Sequence, residues 1–106
     1  MSETFDETLL RCIDETLSGV LGLLVRDAIY LQLLTKFSVT KEQLPNHLDN
    51  FVALVGNAFG PKATKTISRA IAKRLCFELH IDFVDGEDFN LEKYVDQLKH
   101  SKPSKP

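Results

Sequence analysis

"FGPKATKTISRAIAKRL", residues 59–75, carries five positive side chains and no negative one in a chain whose formal net charge is −2. At 100° per residue, Ala63, Ile67, Ile71 and Leu75 fall on one side of a helix, while Lys62, Lys65, Arg69 and Lys73 gather in an arc of roughly 80° opposite them. The segregation predicts an amphipathic helix from Pro61 to His80, with Arg74 at the apolar border. Gly60 suits the left-handed position beyond a preceding helix, and Pro61 suits the first position of the next.

Working back toward the N-terminus, Leu48, Phe51, Val52, Val55, Ala58 and Phe59 form a stripe for a helix that ends near Phe59, with Asn46 as its N-cap. Thr40 and Gln43 have capping-box spacing for a short turn closed by Pro45, from which Leu44 tucks inward. Residues 20–37, "VLGLLVRDAIYLQLLTKF", are apolar around most of the circumference, which predicts a helix in the middle of a bundle. Gly22 within it suggests a close crossing by a neighbour. An earlier helix, about Glu3 to Leu17, places Leu9, Leu10, Ile13 and Leu17 on one side, with a break expected at Ser18–Gly19.

Working forward, "HIDFVDGEDFN" (residues 80–90) reads either as a short extended piece with a turn at Asp85-Gly86 or as a loop pinned by Phe83 and Phe89. Asn90 caps a last helix that docks Leu91, Tyr94, Val95 and Leu98. The fold class is all-α, a compact bundle of four to five helices in one domain, residues 1–99. The segment 100–106, "HSKPSKP", offers no apolar side chain for docking and reads as a flexible tail.

Composition narrows the function. With 106 residues, 43% hydrophobic and 26% charged, the chain has the makings of one folded core rather than a disordered segment. Uncharged runs are short, Thr16–Val25 with its ten residues being half of a membrane span, and the acidic N-terminus has no secretory character, so the expectation is cytoplasmic. In that compartment Cys12 and Cys76 read as small buried hydrophobes rather than a disulfide. His47, His80 and His100 have no metal-ligand spacing with either cysteine, and His47 and His80 read as solvent-facing or capping residues. The acidic group Asp82, Asp85, Glu87 and Asp88 does not have the alternation of a calcium loop. Neither a phosphate-cradling glycine loop nor a nucleophile motif occurs, so the expectation is no enzyme, no cofactor, no metal and no small-molecule ligand.

Charge is the uneven property. Residues 62–74 sum to +5, and residues 82–96, with six acids and one lysine, sum to −5. The acidic segment can therefore fold back on the basic stripe, in the same molecule or in a second copy. Three readings of Lys62, Lys65, Arg69 and Lys73 compete: a solvated face, a protein-interaction face including self-association, and a nucleic-acid face. For the last, the stripe spans roughly 16 Å and can track phosphates. "NHLDNFVALVGNAFG" before "PKATKTISRAIAKRL" also permits a helix-turn-helix. Against it stand the absence of interleaved exposed aromatics and of excess positive charge elsewhere.

Residues 13–83 also resemble the small helical signalling output domains of Nitrosopumilus-like archaea. The matching positions are Ile13-Asp14, Leu17-Ser18, Ala28-Ile29-Tyr30, Lys41 through Pro45, Phe51, Phe59-Gly60 with Ala63, and Lys73-Arg74-Leu75. Gly19-Val20 adds to the usual spacing before Gly22, and nothing beyond Phe83 has a counterpart. The resemblance implies an archaeal, cytosolic, noncatalytic module acting as signalling or regulatory output, and it supplies no site residues. The leading expectation is thus a protein-interaction module, with a DNA-binding regulator using the helix 61–80 as the alternative.

Overall fold

In the computed structural model, which describes residues 3–100, the chain turns sharply at Gly60, with φ 88° and ψ 170°. That conformation is open to glycine and almost closed to residues with a Cβ. The positive φ matches the sequence expectation, but ψ lies far from the left-handed helical value. Pro61 then starts the second arm, so α3, Leu48–Leu79, is one helix bent into two. Gly22 adopts nearly the same conformation, φ 90° and ψ 164°, where α1 (Phe5–Leu21) meets α2 (Leu23–Phe37). A 3-10 turn, Lys41–Asn46, and α4, Leu91–His100, complete an all-α bundle with no strand among the described residues. Of the tail expected at 100–106, His100 ends α4, and residues 101–106 lie outside the described residues.

Several boundaries differ from the sequence reading for local reasons. α1 runs through Ser18 and Gly19 to Leu21, because an exposed glycine inside a helix costs only about 1 kcal/mol, whereas the corner itself needs the positive φ of Gly22. A side chain at Gly22 would meet nothing within 4 Å, so this glycine serves the turn and not a helix crossing. His47, not Asn46, occupies the N-cap of α3, without a side-chain cap bond; Asn46 closes the 3-10 turn and donates to Asp6 (3.3 Å). Other signals landed where expected: Thr40 and Gln43 form a reciprocal capping box, Leu44 is fully buried, and Asn90 accepts from the Lys93 amide (3.0 Å). Of the two readings of residues 80–90, the structure has the loop, over residues 81–90.

The centre of the bundle is the packing of α1 on α3, not α2. Leu9, Cys12, Ile13 and Leu17 are 0% exposed, and α1 touches α2, α3 and the 3-10 turn. Phe51, Val55, Ile67, Ile71, Leu75, Leu91 and Val95 close the core around it. Cys12 and Cys76 are free thiols inside this packing, and burial pushes the Cys12 thiol up to about 11. By contrast α2 buries only Ile29 and Leu33, which overturns its expected central place.

Arg11 ties the start of α1 to the end of α3. Its guanidinium donates to Glu3 through Nε (2.9 Å) and Nη2 (2.8 Å), and Nη2 also reaches Glu78 (2.8 Å). The guanidinium holds both carboxyls below the usual glutamate range, and they in turn raise the arginine further. Carboxyls with a depressed folded pKa contribute stability above their unfolded value, near pH 4.3, and lose it as pH falls through the lower folded value. Thermal melts should therefore show a decline in midpoint below about pH 4 that is shallower in Arg11→Met. Superimposable profiles for the two proteins would show that the cluster contributes nothing.

Candidate interaction surfaces

The basic helix face divides into two halves. Ile67, Ile71 and Leu75 are at most 2% exposed, so the amphipathic reading of the second arm of α3 holds. On the far side, Arg69 Nε donates to Asp85 Oδ1 (2.8 Å) and Nη2 to the Gly86 carbonyl (3.2 Å), and its guanidinium lies 5.6 Å from the Phe89 ring centre. Lys73 Nζ sits 5.7 Å over the Phe83 ring. The acidic loop thus folds back on the stripe within the same molecule, and Arg69 keeps the Asp85 carboxyl below its usual range. An aromatic cluster anchors the loop: Phe83, Phe89 and Tyr94 have ring centres 5.3–6.0 Å apart, and the Tyr94 hydroxyl accepts from the Val84 amide (3.1 Å). Arg74 turns away to Glu15 (3.1 Å). Lys62 and Lys65 are exposed and make no ion pair among the described residues. Of the four cations, the loop ion-pairs Arg69, while Lys73 stays exposed beside its ring and Lys62 and Lys65 are exposed as well.

Beyond Lys73, on the next turn of the same helix, Phe77 is 78% exposed, with Ile81 and Val84 in the loop that follows also in solvent. The sequence reading found no exposed aromatic beside the basic stripe, so this is a correction. Phe77 falls next to Lys73 on the helical wheel, off the face of Ile67, Ile71 and Leu75, which puts it in solvent.

The larger surface lies on α2. Leu24 is 86% exposed, Leu23 and Leu31 are each 60%, and Leu34 is 49%. On a helical wheel they occupy the arc opposite Ile29 and Leu33. Asp14 of α1 sets this rotation from the edge of the helix: it accepts from the Tyr30 hydroxyl (2.9 Å) and from Arg26 Nη1 (3.3 Å). Lys41 Nζ reaches the same carboxylate (3.6 Å) and lies 5.3 Å from the Tyr30 ring centre. Burial and the adjoining carboxylate push the Tyr30 phenol well above its ordinary value, so it remains a donor at neutral pH. With Arg26 and Tyr30 held against α1 and the 3-10 turn, the leucine face can only point outward. Four leucines on one helix face present a few hundred Å² of apolar surface, comparable with the largest patch on a typical monomer.

Among the described residues, no group of three or more His, Cys, Asp or Glu side chains is placed to hold a metal ion, and no helix is long and apolar enough to cross a membrane. What the surfaces define physically is an all-α bundle with one unpartnered apolar helix face and one half-covered basic face. No protein-family model matches the chain, and comparisons with curated proteins and with solved structures give no match.

Proposed function

We propose that this chain is a non-enzymatic helical interaction module of a cytoplasmic signalling or regulatory system, archaeal as its resemblance implies, and that it self-associates through α2. The exposure of Leu24, Leu31 and Leu34 on one helix carries the reading. Positions 24, 27, 31 and 34 have the 3-4-3 spacing of a coiled-coil seam. Asp27 is the polar residue in that seam, and its side chain is 62% exposed beside Arg26 (2.9 Å). A parallel pair would set the two Asp27 carboxylates against each other. An antiparallel pair instead sets each against the partner's Leu31 and matches Leu24 with the partner's Leu34, so the antiparallel register avoids like-charge repulsion. The apolar face falls short of the roughly 800 Å² per partner of a standard interface, so the pairing is weak and concentration-dependent. Three residues that carry the family resemblance, Asp14, Tyr30 and Lys41, are the ones that aim this face outward, which supports a role for it.

In the antiparallel register Ala28 of each copy lies close to the two-fold axis. Mild oxidation of Ala28→Cys should therefore give a disulfide-linked species of about 24 kDa, twice the 12.0 kDa chain. The native thiols, at most 1% exposed, stay silent. Absence of that species, or equal trapping of a Gln97→Cys control on α4, counts against the pairing.

The DNA-binding alternative keeps Lys62, Lys65, Lys73 and the exposed Phe77 in its favour. With Arg69 ion-paired by the loop, three phosphate contacts remain where the sequence offers four. The expected slope of log K against log salt falls from about −3.6 to about −2.7, and the acidic loop beside the stripe opposes a polyanion.

A further inference from the structure

The bend of α3 opens a second feature, independent of α2. A pocket of about 340 Å³ lies in the angle between the two arms, closed on its third side by residues 89–91. Its volume is at the lower end of the range for small-molecule sites. Val52, Phe89 and Leu91 supply apolar walls, and the polar groups that line it point to one kind of ligand.

Those groups are donors without acceptors. Lys65 brings an ammonium with no ion pair among the described residues. Asn90 spends its side-chain oxygen on the Lys93 amide (3.0 Å), which leaves its amide N–H groups to donate. Ser68 is 5% exposed and its hydroxyl has no hydrogen-bond partner among the described residues, whereas Thr64, one turn earlier on the same face, donates to the Gly60 carbonyl (2.8 Å). The Ser68 oxygen opens onto the pocket, since the fully buried side-chain oxygen without a partner among the described residues is that of Thr16, so a bound acceptor would take the place of water at Ser68. The adjoining first turn of α4 adds the positive end of a helix. No carboxylate lines the pocket, although the chain has 15; Glu87 and Asp88 line the neighbouring cleft, and Glu92 faces the groove toward Pro45.

We infer that this pocket binds a small amphiphilic monoanion, a short-chain monocarboxylate, with its head on Lys65, Ser68 and Asn90 and its tail against Val52, Phe89 and Leu91. A single cation sets the charge at one, and the apolar walls separate this ligand from an inorganic anion.

The test is a ¹⁵N–¹H NMR titration of the full chain with sodium hexanoate, 1-hexanol and inorganic phosphate. Hexanoate should produce saturable shifts confined to amides around residues 64–69 and 89–92, with little response to the other two. Lys65→Gln should weaken hexanoate about tenfold, the loss expected for one charge-assisted contact. Ser68→Leu, which fills the pocket, should abolish the response. If that variant loses its dispersed spectrum, Lys65→Gln, a change at an exposed residue, carries the comparison. Equal shifts with hexanol would reduce the pocket to an apolar cleft, and equal shifts with phosphate to a helix-end anion site. Either result, unchanged affinity in Lys65→Gln, or no localised response overturns the inference.

Discussion

Phe51→Ala is expected to lower the free energy of unfolding by about 3–5 kcal/mol, the usual cost of emptying a buried phenylalanine site. Phe51 is 1% exposed and the largest of the fully buried side chains. It stands on the first arm of α3, within the core where α1 packs on α3. The surroundings cannot collapse into the gap readily, since the bend at Gly60 fixes the second arm and α1 is held by Arg11 at the end of that arm. A domain of this size has about 5–15 kcal/mol in all, so the variant loses roughly a fifth or more of its stability. At about 4–8 °C per kcal/mol, a melt followed by circular dichroism should shift down by at least about 12 °C. Phe77→Ala, at a site 78% exposed, should move the midpoint little. Similar small shifts for both would mean that Phe51 is not where the core is.

How far the sequence alone leads depends on whether a signal is local. The Gly60-Pro61 corner is local: one residue must take a positive φ and the next a fixed one, and both types stand in order. The face of the second arm is also local, because Ile67, Ile71 and Leu75 recur with the helical period and the cations occupy the opposite arc. α2 is different. With apolar residues nearly all round, its period does not say which side is covered, and the default of a central helix proves wrong. Its rotation comes from Asp14, which meets Tyr30, Arg26 and Lys41 across 12 to 27 positions of sequence, and from the conformation of Gly22.

The functional surfaces follow the same division. Opposed charge sums in residues 62–74 and 82–96 foretell that the acidic segment folds back. They do not say that Arg69 pairs with Asp85 while Lys62 and Lys65 stay free, since that depends on the Phe83, Phe89 and Tyr94 packing. The pocket at Ser68 draws on residues from Val52 to Leu91 and has no motif at all.

The second large effect is on assembly. Leu24→Glu with Leu31→Glu replaces two exposed leucines, so the folded monomer should keep its melting temperature to within a few degrees. In the antiparallel pair the same changes place four carboxylates in an apolar seam, against the partner's Leu34 and Asp27. Burying unpaired charge beside like charge costs several kcal/mol, more than a weak interface can supply. Self-association should therefore disappear while the fold persists, a separation that a core substitution cannot produce.

Sedimentation equilibrium across a concentration series, run on the native chain and this double variant, tests the pairing of α2 most directly. Pairing through α2 gives an apparent mass that rises from 12.0 kDa toward twice that value for the native chain and stays at 12.0 kDa for the variant. A native chain that remains monomeric at millimolar concentration, or a variant that associates as readily as the native chain, would contradict it.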